Sequence, residues 1–289
     1  MFTDVKGDFD HVWGYELKTL GDGLRFLRQL WRERPDTILE LHKSGRTSKL
    51  LRAYSFLSGA RYLAHDHNKN THVIFEQGVR KPIVQRDLDG AYTLAKSIVG
   101  KALYPNYLQY SPRLKHDFKI GEAIVLGVVA TRIEKKWPLS HFVELVRLMR
   151  MQHPEVRVLI PLSSGAEDQQ IQWELKSLLG DEMVEFIQVP LSDLPRSLCA
   201  GKLYIGNDTG LKHICAALGM KTWTLFGPEE PIEWHPYDYS KHPFLWIYGG
   251  DARDQMVMQC KLVQFDQSHT LSEISPEVVF RLALHDLSK

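Results

Sequence analysis

The fold of this chain is decided by the stretch Leu203-Tyr-Ile-Gly-Asn-Asp-Thr-Gly-Leu-Lys-His-Ile-Cys-Ala-Ala-Leu-Gly219. Its first three residues are apolar and predict a short buried strand, and residues 206–210 predict a tight polar turn. From Leu211 onward the apolar residues recur at the spacing of one helix face, and the final glycine predicts the end of that helix. Such a turn exposes backbone N–H groups at a helix N-terminus, which favour an anion such as a phosphate. The alternative interpretation is that Asp208 or Thr209 only caps the helix.

The composition of the 289 residues is that of an ordinary globular protein, with 44% hydrophobic and 25% charged residues. A formal net charge of +1 indicates neither nucleic acid nor a strongly acidic partner. The three cysteines have no CxxC spacing, which argues against a zinc site or a disulfide framework and fits a reducing compartment. The longest apolar run, residues 123–130, is far shorter than the roughly 20 residues of a membrane span. With no signal-peptide pattern at the start, we expect a cytoplasmic protein that is able to work at a membrane surface.

The periodicity of the chain predicts two domains. An irregular stretch with two prolines, residues 105–119, marks the boundary, and we divide the chain into domains 1–115 and 116–289. In the first domain strands are predicted at 9–15, 37–41 and 60–65, and helices at 20–34, 48–57 and 86–104. In the second, strands are predicted at 123–130, 156–160, 184–188, 202–205 and 222–226, helices at 138–152, 167–179, 192–200, 210–218 and 275–287, and a loop at 226–237. This alternation predicts an α/β fold with a parallel sheet covered on both sides.

Polar turns follow two of the predicted strands. Because ligands of such sheets bind outside the carboxyl ends of the strands, the turns at 131–137 and 206–210 should line one cleft. The first turn lies in Ala130-Thr-Arg-Ile-Glu-Lys-Lys-Trp-Pro138, and its phosphate-binding candidates are Thr131, Arg132, Lys135 and Lys136. The alternative interpretation is a solvated basic loop. A third turn, residues 227–231, is interpreted as a rigid exit loop, with Glu229 and Glu230 as weaker functional candidates.

Together these segments resemble the signature of glycosyltransferase family 9, the lipopolysaccharide heptosyltransferases. Residues 206–219, followed by Thr222-Trp-Thr-Leu-Phe-Gly-Pro228, are similar to the family's Asp-Thr/Ser-Gly and His segment and its strand ending in Phe/Tyr-Gly-Pro. Thr131-Arg-Ile-Glu-Lys-Lys-Trp-Pro138 resembles its Thr-Arg…Lys-x-Trp-Pro motif. Residues 35–48 loosely match a motif of the first domain. The resemblance extends over about residues 20–285 and is specific in the second half.

The resemblance implies a GT-B fold, with two Rossmann-like domains that contain parallel sheets, a shortened N-terminal domain and an active site between the domains. The C-terminal domain would bind a nucleotide-sugar, typically ADP-heptose, as a substrate, with no cofactor and no metal. The reaction would be an inverting transfer of the sugar to a lipopolysaccharide or lipooligosaccharide core or a related glycan. The enzyme would work in the cytoplasm, with peripheral contact to the inner membrane at its cytoplasmic face.

The resemblance also implies a role for individual residues of the donor site. Lys135 would neutralise the donor phosphates, with Thr131 beside it, and Leu191 would lie in the segment that flanks the base. His213, one turn into the helix, would either face the cleft or buttress the turn. The full donor-binding set implied by the motif match is Thr131, Arg132, Lys135, Leu191, Asp208, Thr209, Gly210 and His213.

The N-terminal part of the sequence departs from the family pattern. Family members open with an apolar strand and a Ser-x-Gly-Asp loop, whose Asp is taken as the general base, and this chain is expected to begin after that element. Lys18-Thr-Leu-Gly-Asp-Gly23 resembles the loop and makes Asp22 the candidate base. No apolar strand precedes it, however, and the pattern favours residues 18–34 as a later helix. Two interpretations therefore stay open: an active transferase, or a catalytically inactive nucleotide-sugar-binding relative that has lost the base.

The basic turn at residues 43–46 supplies the acceptor-site candidates, Lys43 and Arg46. If residues 37–41 form a parallel strand, this turn faces the cleft and can hold the phosphates or carboxylates of an acceptor. A solvated helix start is the alternative interpretation. A third functional interpretation, a nucleotide-sugar epimerase with the same fold, is disfavoured by the pair of motifs that contain Lys135 and Asp208.

Overall fold

The computed structural model describes residues 17–40, 45–65, 81–101, 103–106, 113–114, 118–180, 184–247, 250–251 and 270–287. These residues form two compact units: the described residues up to 106 with Ile232–Pro236, and those from 113 to Pro231 and from Tyr237 onward. Both units are α/β, as the sequence predicts. The predicted boundary at residue 115 lies outside the described residues. No helix in the described ranges has the length and apolar character that crossing a bilayer requires.

The N-terminal unit contains a small parallel sheet and its helices. Its elements are α1 (Leu20–Glu33), β1 (Thr37–Glu40), α2 (Gly45–Ser58), β2 (Arg61–Ala64) and α3 (Ile83–Val99). β1 and β2 pair in parallel, with Ile38 opposite Tyr62. The core of the unit is formed by Leu30, Ile38, Leu51, Tyr54 and Ala60. Four of the predicted elements are therefore present within a few residues of their predicted bounds, and the strand predicted at 9–15 lies outside the described residues.

The third helix of this unit differs from its prediction at both ends. It was expected over 86–104 and instead extends over Ile83–Val99. Pro82 is its N-cap residue, a position where the missing N–H of proline costs no helical hydrogen bond. At the other end Gly100 adopts a left-handed conformation with φ 74°, and its N–H donates to the carbonyl of Lys96. This glycine cap ends the helix before the apolar residues that follow can extend it.

The C-terminal unit is built on a seven-stranded sheet. In chain order its strands and α-helices are β3 (Ala123–Gly127), α4 (Leu139–Gln152), β4 (Val158–Pro161), α5 (Ala166–Leu179), β5 (Glu185–Ile187), α6 (Leu194–Leu198), β6 (Gly201–Asn207), α7 (Gly210–Ala217), β7 (Lys221–Phe226), β8 (Phe244–Trp246), β9 (Gly250–Asp251) and α9 (Pro276–Leu287). Most of the one-turn helix α8 (Pro231–Trp234) belongs to the N-terminal unit. The strand order is β5-β4-β3-β6-β7-β8-β9. All pairs are parallel except β8–β9. β3 is buried throughout and β6 is buried except at Lys202; both occupy the middle of the sheet, as expected of strands covered on both faces.

Two strands at the edge of this sheet are absent from the sequence prediction. β8 continues the sheet beyond β7, with Phe244 opposite Thr224, and the indole N–H of Trp246 donates to the carbonyl of Gly227 at 3.0 Å. A strand of three residues is too short to produce a periodic pattern, so only pairing with β7 identifies it. The loop predicted at 226–237 also contains the one-turn helix α8.

Candidate functional site at the carboxyl edge of the central strands

The candidate site lies at the carboxyl ends of β3 and β6, which are neighbours in the middle of the sheet. Gly127 and Gly206 are paired there, so the turns that follow the two strands begin side by side. A cleft of about 470 Å³ opens at this edge. It is lined by Val129, Ala130, Thr131, Lys135, Pro161, Leu162, Ser163, Asp168, Val189, Leu191, Leu194, Asp208, Thr209, Gly210 and Leu211. The two polar turns therefore line one cleft, and six of the eight implied donor-site residues are in its wall.

The two paired glycines allow the central strands to approach closely at this edge. A Cβ on Gly206 would stand 2.5 to 2.6 Å from backbone atoms of Gly127. A Cβ on Gly127 would stand 2.0 Å from the hydroxyl oxygen of Tyr204. That hydroxyl donates to the carbonyl of Asn207 at 2.7 Å, so it fixes the end of β6 from within the sheet. Any larger residue at either position would separate the two turns.

Asn207 joins the two turns, a role that sequence reasoning missed. Its side chain is fully buried; Oδ1 accepts from the backbone N–H of Trp137 and Nδ2 donates to the carbonyl of Val128, both at 2.9 Å. The amide thus satisfies a donor and an acceptor of the facing turn at once. In the sequence, the only sign of this role is an Asn immediately before Asp-Thr-Gly. Such an Asn looks the same as an ordinary turn residue.

Asp208 is the electrostatic centre of the site. Its carboxylate is buried, with Oδ2 3.1 Å from the ammonium of Lys135 and Oδ1 in contact with the ammonium of Lys212. Burial raises the pKa of Asp208, but the two lysines outweigh that effect and hold its pKa below the usual range. Thr209 is the N-cap residue of α7, but its side chain makes no capping hydrogen bond. Thr209 is therefore the cap of the helix by its backbone position, while the Asp208 carboxylate is paired with the two lysines; that this turn also binds a donor stays a prediction.

Glu229 brings the third turn to the first. It contacts the guanidinium of Arg132 and lies 3.8 Å from the ammonium of Lys135. The backbone is close here as well, since a Cβ on Gly227 would stand 2.4 Å from the carbonyl oxygen of Glu134. The stretch interpreted as an exit loop thus supplies an acidic neighbour for the cations of the cleft, which its sequence alone only weakly suggests.

His213, next to Lys212 in the first turns of α7, contacts the phenol of Tyr237. Its Nδ1 meets the Tyr237 hydroxyl, and the two rings lie 5.6 Å apart. Burial, followed by repulsion from Lys212, lowers the pKa of His213 to about 4, so the imidazole is neutral at physiological pH. Of the two expectations for this residue, the structure favours a buttress of the turn.

The far end of the cleft is less charged. Val189, Leu191 and Leu194 contribute apolar surface there, and the Leu191 side chain is exposed. Asp168 shapes the neighbouring loop, because its carboxylate accepts from the backbone N–H of Ser163 at 2.6 Å. The cleft therefore combines a cationic end at Lys135 with an apolar end at Leu191.

The remaining candidates lie in the N-terminal unit or outside the described residues. Asp22 is in the first turn of α1, where it forms a capping box with Thr19 and pairs with Arg25 at 2.6 Å. The hydrogen bond from the Thr19 hydroxyl, above all, lowers the pKa of Asp22. Its part as a base stays a prediction. Lys43 and the side chain of Arg46 lie outside the described residues, so the acceptor-site prediction stays a prediction as well.

The two α/β units with parallel sheets define a GT-B-like protein. The sequence model of glycosyltransferase family 9 (heptosyltransferase) matches residues 24–262, most of the chain. The chain belongs to this family.

Individual relatives agree with that assignment. Lipopolysaccharide heptosyltransferase 1 of Escherichia coli K12 is 26% identical over 192 residues, which is 61% of this chain and 54% of that protein. Lipooligosaccharide heptosyltransferase 2 of Haemophilus influenzae Rd is 26% identical over 102 residues, 34% of this chain and 28% of that protein. The alignments with E. coli lipopolysaccharide heptosyltransferase 1 span about half the length of that relative.

Solved structures show the same fold. E. coli heptosyltransferase WaaC with ADP superposes with a TM-score of 0.64 at 18% identity, over 94% of this chain and 79% of that one. A family 9 glycosyltransferase from Veillonella parvula DSM 2008 superposes with a TM-score of 0.66 at 18% identity, over 99% of this chain and 85% of that one. At this level of identity the likeness bears on the fold alone.

Proposed function

We propose that this protein is an inverting glycosyltransferase that transfers a sugar, heptose from ADP-heptose, onto a lipopolysaccharide or lipooligosaccharide core or a related glycan. Family membership supports the class of reaction. A bound ADP in the WaaC structure and the names of the relatives support the choice of nucleotide and sugar. We further propose that the protein works in the cytoplasm, in peripheral contact with the membrane that holds its acceptor.

The observation that carries the proposal is the cleft where Lys135 meets the N-terminus of α7. The diphosphate of the donor would lie between the ammonium of Lys135 and the backbone N–H groups of Thr209 and Gly210, where the helix dipole also favours negative charge. The apolar end of the cleft near Leu191 suits a nucleotide base, and Asp208 stands where sugar hydroxyls would be held. Arg132 and Thr131 complete the proposed set.

The chemistry that this arrangement supports is a single displacement. The acceptor hydroxyl oxygen forms a bond to the anomeric carbon while the bond from that carbon to the diphosphate oxygen breaks. The hydroxyl proton goes to the general base, for which Asp22 is the candidate, and the electron pair leaves with the nucleoside diphosphate. Lys135 and the N–H groups of α7 stabilise the charge that grows on that leaving group. Lys43 and Arg46 are proposed to hold acidic groups of the acceptor.

Calorimetry with ADP tests the donor site. Lys135→Ala should weaken ADP binding by about tenfold to a hundredfold, as expected for loss of one charge-assisted contact. Lys136→Ala is the matched control. The ammonium of Lys136 pairs with Glu167, and Lys136 does not line the cleft. Equal affinities for the wild type and both variants would mean that the donor does not bind at this cleft.

Turnover is tested separately with ADP-heptose and a lipid A–Kdo acceptor, by following the release of ADP. The proposal expects transfer, and it expects Asp22→Asn to lower the rate at least about a hundredfold if Asp22 is the base. Circular dichroism of the variant controls for the lost helix cap. Binding of ADP without transfer to any acceptor would instead identify a nucleotide-sugar-binding protein without catalysis.

A further inference from the structure

Lys212 is a fully buried lysine in a position that ordinarily disfavours a positive charge. Its side chain has no exposed surface, and it occupies the third position of α7, within the first helical turn. The positive end of the helix dipole repels a cation there, and lysine is among the residues least often buried. An ammonium group buried here therefore needs a negatively charged partner to offset its loss of hydration.

The partner is Asp208, which is held from two sides. One carboxylate oxygen contacts Lys212, whose ammonium also lies 4.5 Å from the centre of the Phe226 ring. The other oxygen faces Lys135 in the cleft wall. Lys212 is enclosed and cannot reach a ligand in the cleft, whereas the Lys135 side chain is 16% exposed. The two lysines therefore have different freedom to move.

We propose that Lys212 is a positioning residue that serves as an internal counter-ion for Asp208, so that Lys135 is free to leave the carboxylate and bind the donor diphosphate. The inference rests on the proposed donor site. Two ammonium groups and one carboxylate carry a net charge of +1, and the surplus charge belongs to the mobile member, Lys135. Without Lys212, Asp208 and Lys135 neutralise each other, and the diphosphate has to compete with the carboxylate for its cation.

This mechanism separates Lys212 from a lysine that only contributes packing. A packing residue would lower ADP affinity when replaced, whatever stands at position 208. A counter-ion is needed only while Asp208 is charged, so its loss should be repaired by removing that charge. Asn is the suitable replacement, since it keeps the shape of Asp208 and its capacity to accept a hydrogen bond.

The test is ADP calorimetry at pH 7 on the wild type, Lys212→Met, Asp208→Asn and the double variant. Met keeps the length of lysine and packs well on an aromatic ring, so the fold should tolerate it. We expect Lys212→Met to bind ADP about tenfold more weakly, a change of about 1.4 kcal/mol. The double variant should recover to within about threefold of the wild type. Equal weakness of the single and double variants, or no weakening in Lys212→Met, would overturn the proposal.

The pH dependence of ADP binding gives a second readout, whose main measurement is made on the wild-type protein. Burial, only partly offset by Asp208, lowers the pKa of Lys212 to about 8, so the surplus charge disappears as the pH rises through that value. Wild-type affinity should therefore fall between pH 7 and 9, whereas Lys212→Met should stay flat. A flat wild-type profile contradicts the proposal. If wild-type ADP binding is absent at every pH, the donor-site proposal itself has failed.

The neighbouring groups whose pKa values are shifted keep their charge state between pH 7 and 9. The pKa of Asp208 is lowered by its two lysines once burial is overcome. Burial lowers the pKa values of His213 and His242 to about 4 and raises those of Tyr237 and Cys215. The charged and titratable groups that face Lys212 or the carboxylate it contacts are Asp208, Lys135, Tyr204, His213, Cys215, Tyr237, His242 and, beyond Lys135, Glu229.

Discussion

Asp208→Asn should destabilise the C-terminal unit, and it should do so less at alkaline pH. The substitution removes the carboxylate that compensates the buried ammonium of Lys212, while the amide keeps the shape of the side chain. Without the carboxylate, burial and repulsion from Lys135 would lower the pKa of Lys212 further than in the wild type, and we expect the lysine to be neutral at pH 7. The variant therefore folds with a neutral lysine, whereas the unfolded chain still holds the proton.

The size of the expected loss of unfolding free energy follows from the pKa values of Lys212. In the wild type, a pKa lowered from 10.5 to about 8 costs about 3 kcal/mol of stability at pH 7. Holding a lysine neutral at pH 7 costs about 5 kcal/mol at roughly 1.4 kcal/mol per pKa unit. The proton-linked difference, one pKa unit between 8 and 7, is about 1.4 kcal/mol, and the lost attraction between Asp208 and Lys135 adds to it. We expect a total of about 2–4 kcal/mol, near the range for breaking a buried ion pair.

The pH dependence has a definite sign. Because the folded-state pKa of Lys212 is depressed, a pH rise between the folded and unfolded values stabilises the protein. For the wild type this gain begins near pH 8, and for Asp208→Asn it begins at a lower pH, because the pKa of Lys212 is lowered further there. The gap between the two proteins should thus close by about 1–1.5 kcal/mol between pH 7 and 9 and then stay constant.

Urea unfolding at pH 7, 8 and 9 measures this gap, with circular dichroism and tryptophan fluorescence recorded together because two units can unfold separately. The matched control is the same substitution in a Lys212→Met background, where the gap should not depend on pH. A destabilisation below about 1 kcal/mol, or one that grows toward pH 9, would refute the assignment of Lys212 as a buried cation compensated by Asp208.

Three further predictions concern the frame of the molecule. Asn207→Ala leaves two backbone groups of the facing turn without partners and should lower the unfolding free energy by about 2–4 kcal/mol in urea titrations; a loss under about 1 kcal/mol would contradict the bridge. Gly206→Ala should cost at least about 2 kcal/mol by thermal unfolding because its Cβ meets backbone atoms, whereas Gly210→Ala, with open space around it, should change stability little; similar values for the two would show that the strands are not closely apposed. Arg86→Met, in the N-terminal unit, removes a buried guanidinium that pairs with Glu233 at 2.6 Å and donates to the carbonyl of Lys81, and should cost about 3–5 kcal/mol, against less than about 1 kcal/mol for the exposed Arg25→Met; similar urea midpoints for the two variants would contradict this.

Much of the C-terminal unit follows from local sequence. The strand, turn and helix expected over residues 203–219 are present as Gly201–Asn207 and Gly210–Ala217, and the family that the motifs resemble is confirmed. Periodicity identifies elements of this kind because each strand or helix has one chemical face that must be buried. It fails where the signal is short or where one residue acts as a stop. The three-residue strand Phe244–Trp246 and the glycine that ends α3 at Val99 are the two examples here.

The sequence by itself determined which residues stand at the carboxyl edge of the central strands. A parallel α/β pattern requires the ends of β3 and β6 to meet, so Lys135 and Asp208 had to be close. Only the tertiary structure decided the direction of Lys212, because a lysine four residues from an aspartate on a helix can face solvent equally well. Packing of α7 over Phe226 buries it and makes it the counter-ion of Asp208. The contact that buries Lys212 comes from Phe226, on a later strand, and nothing in local periodicity encodes which face of a helix the sheet will cover.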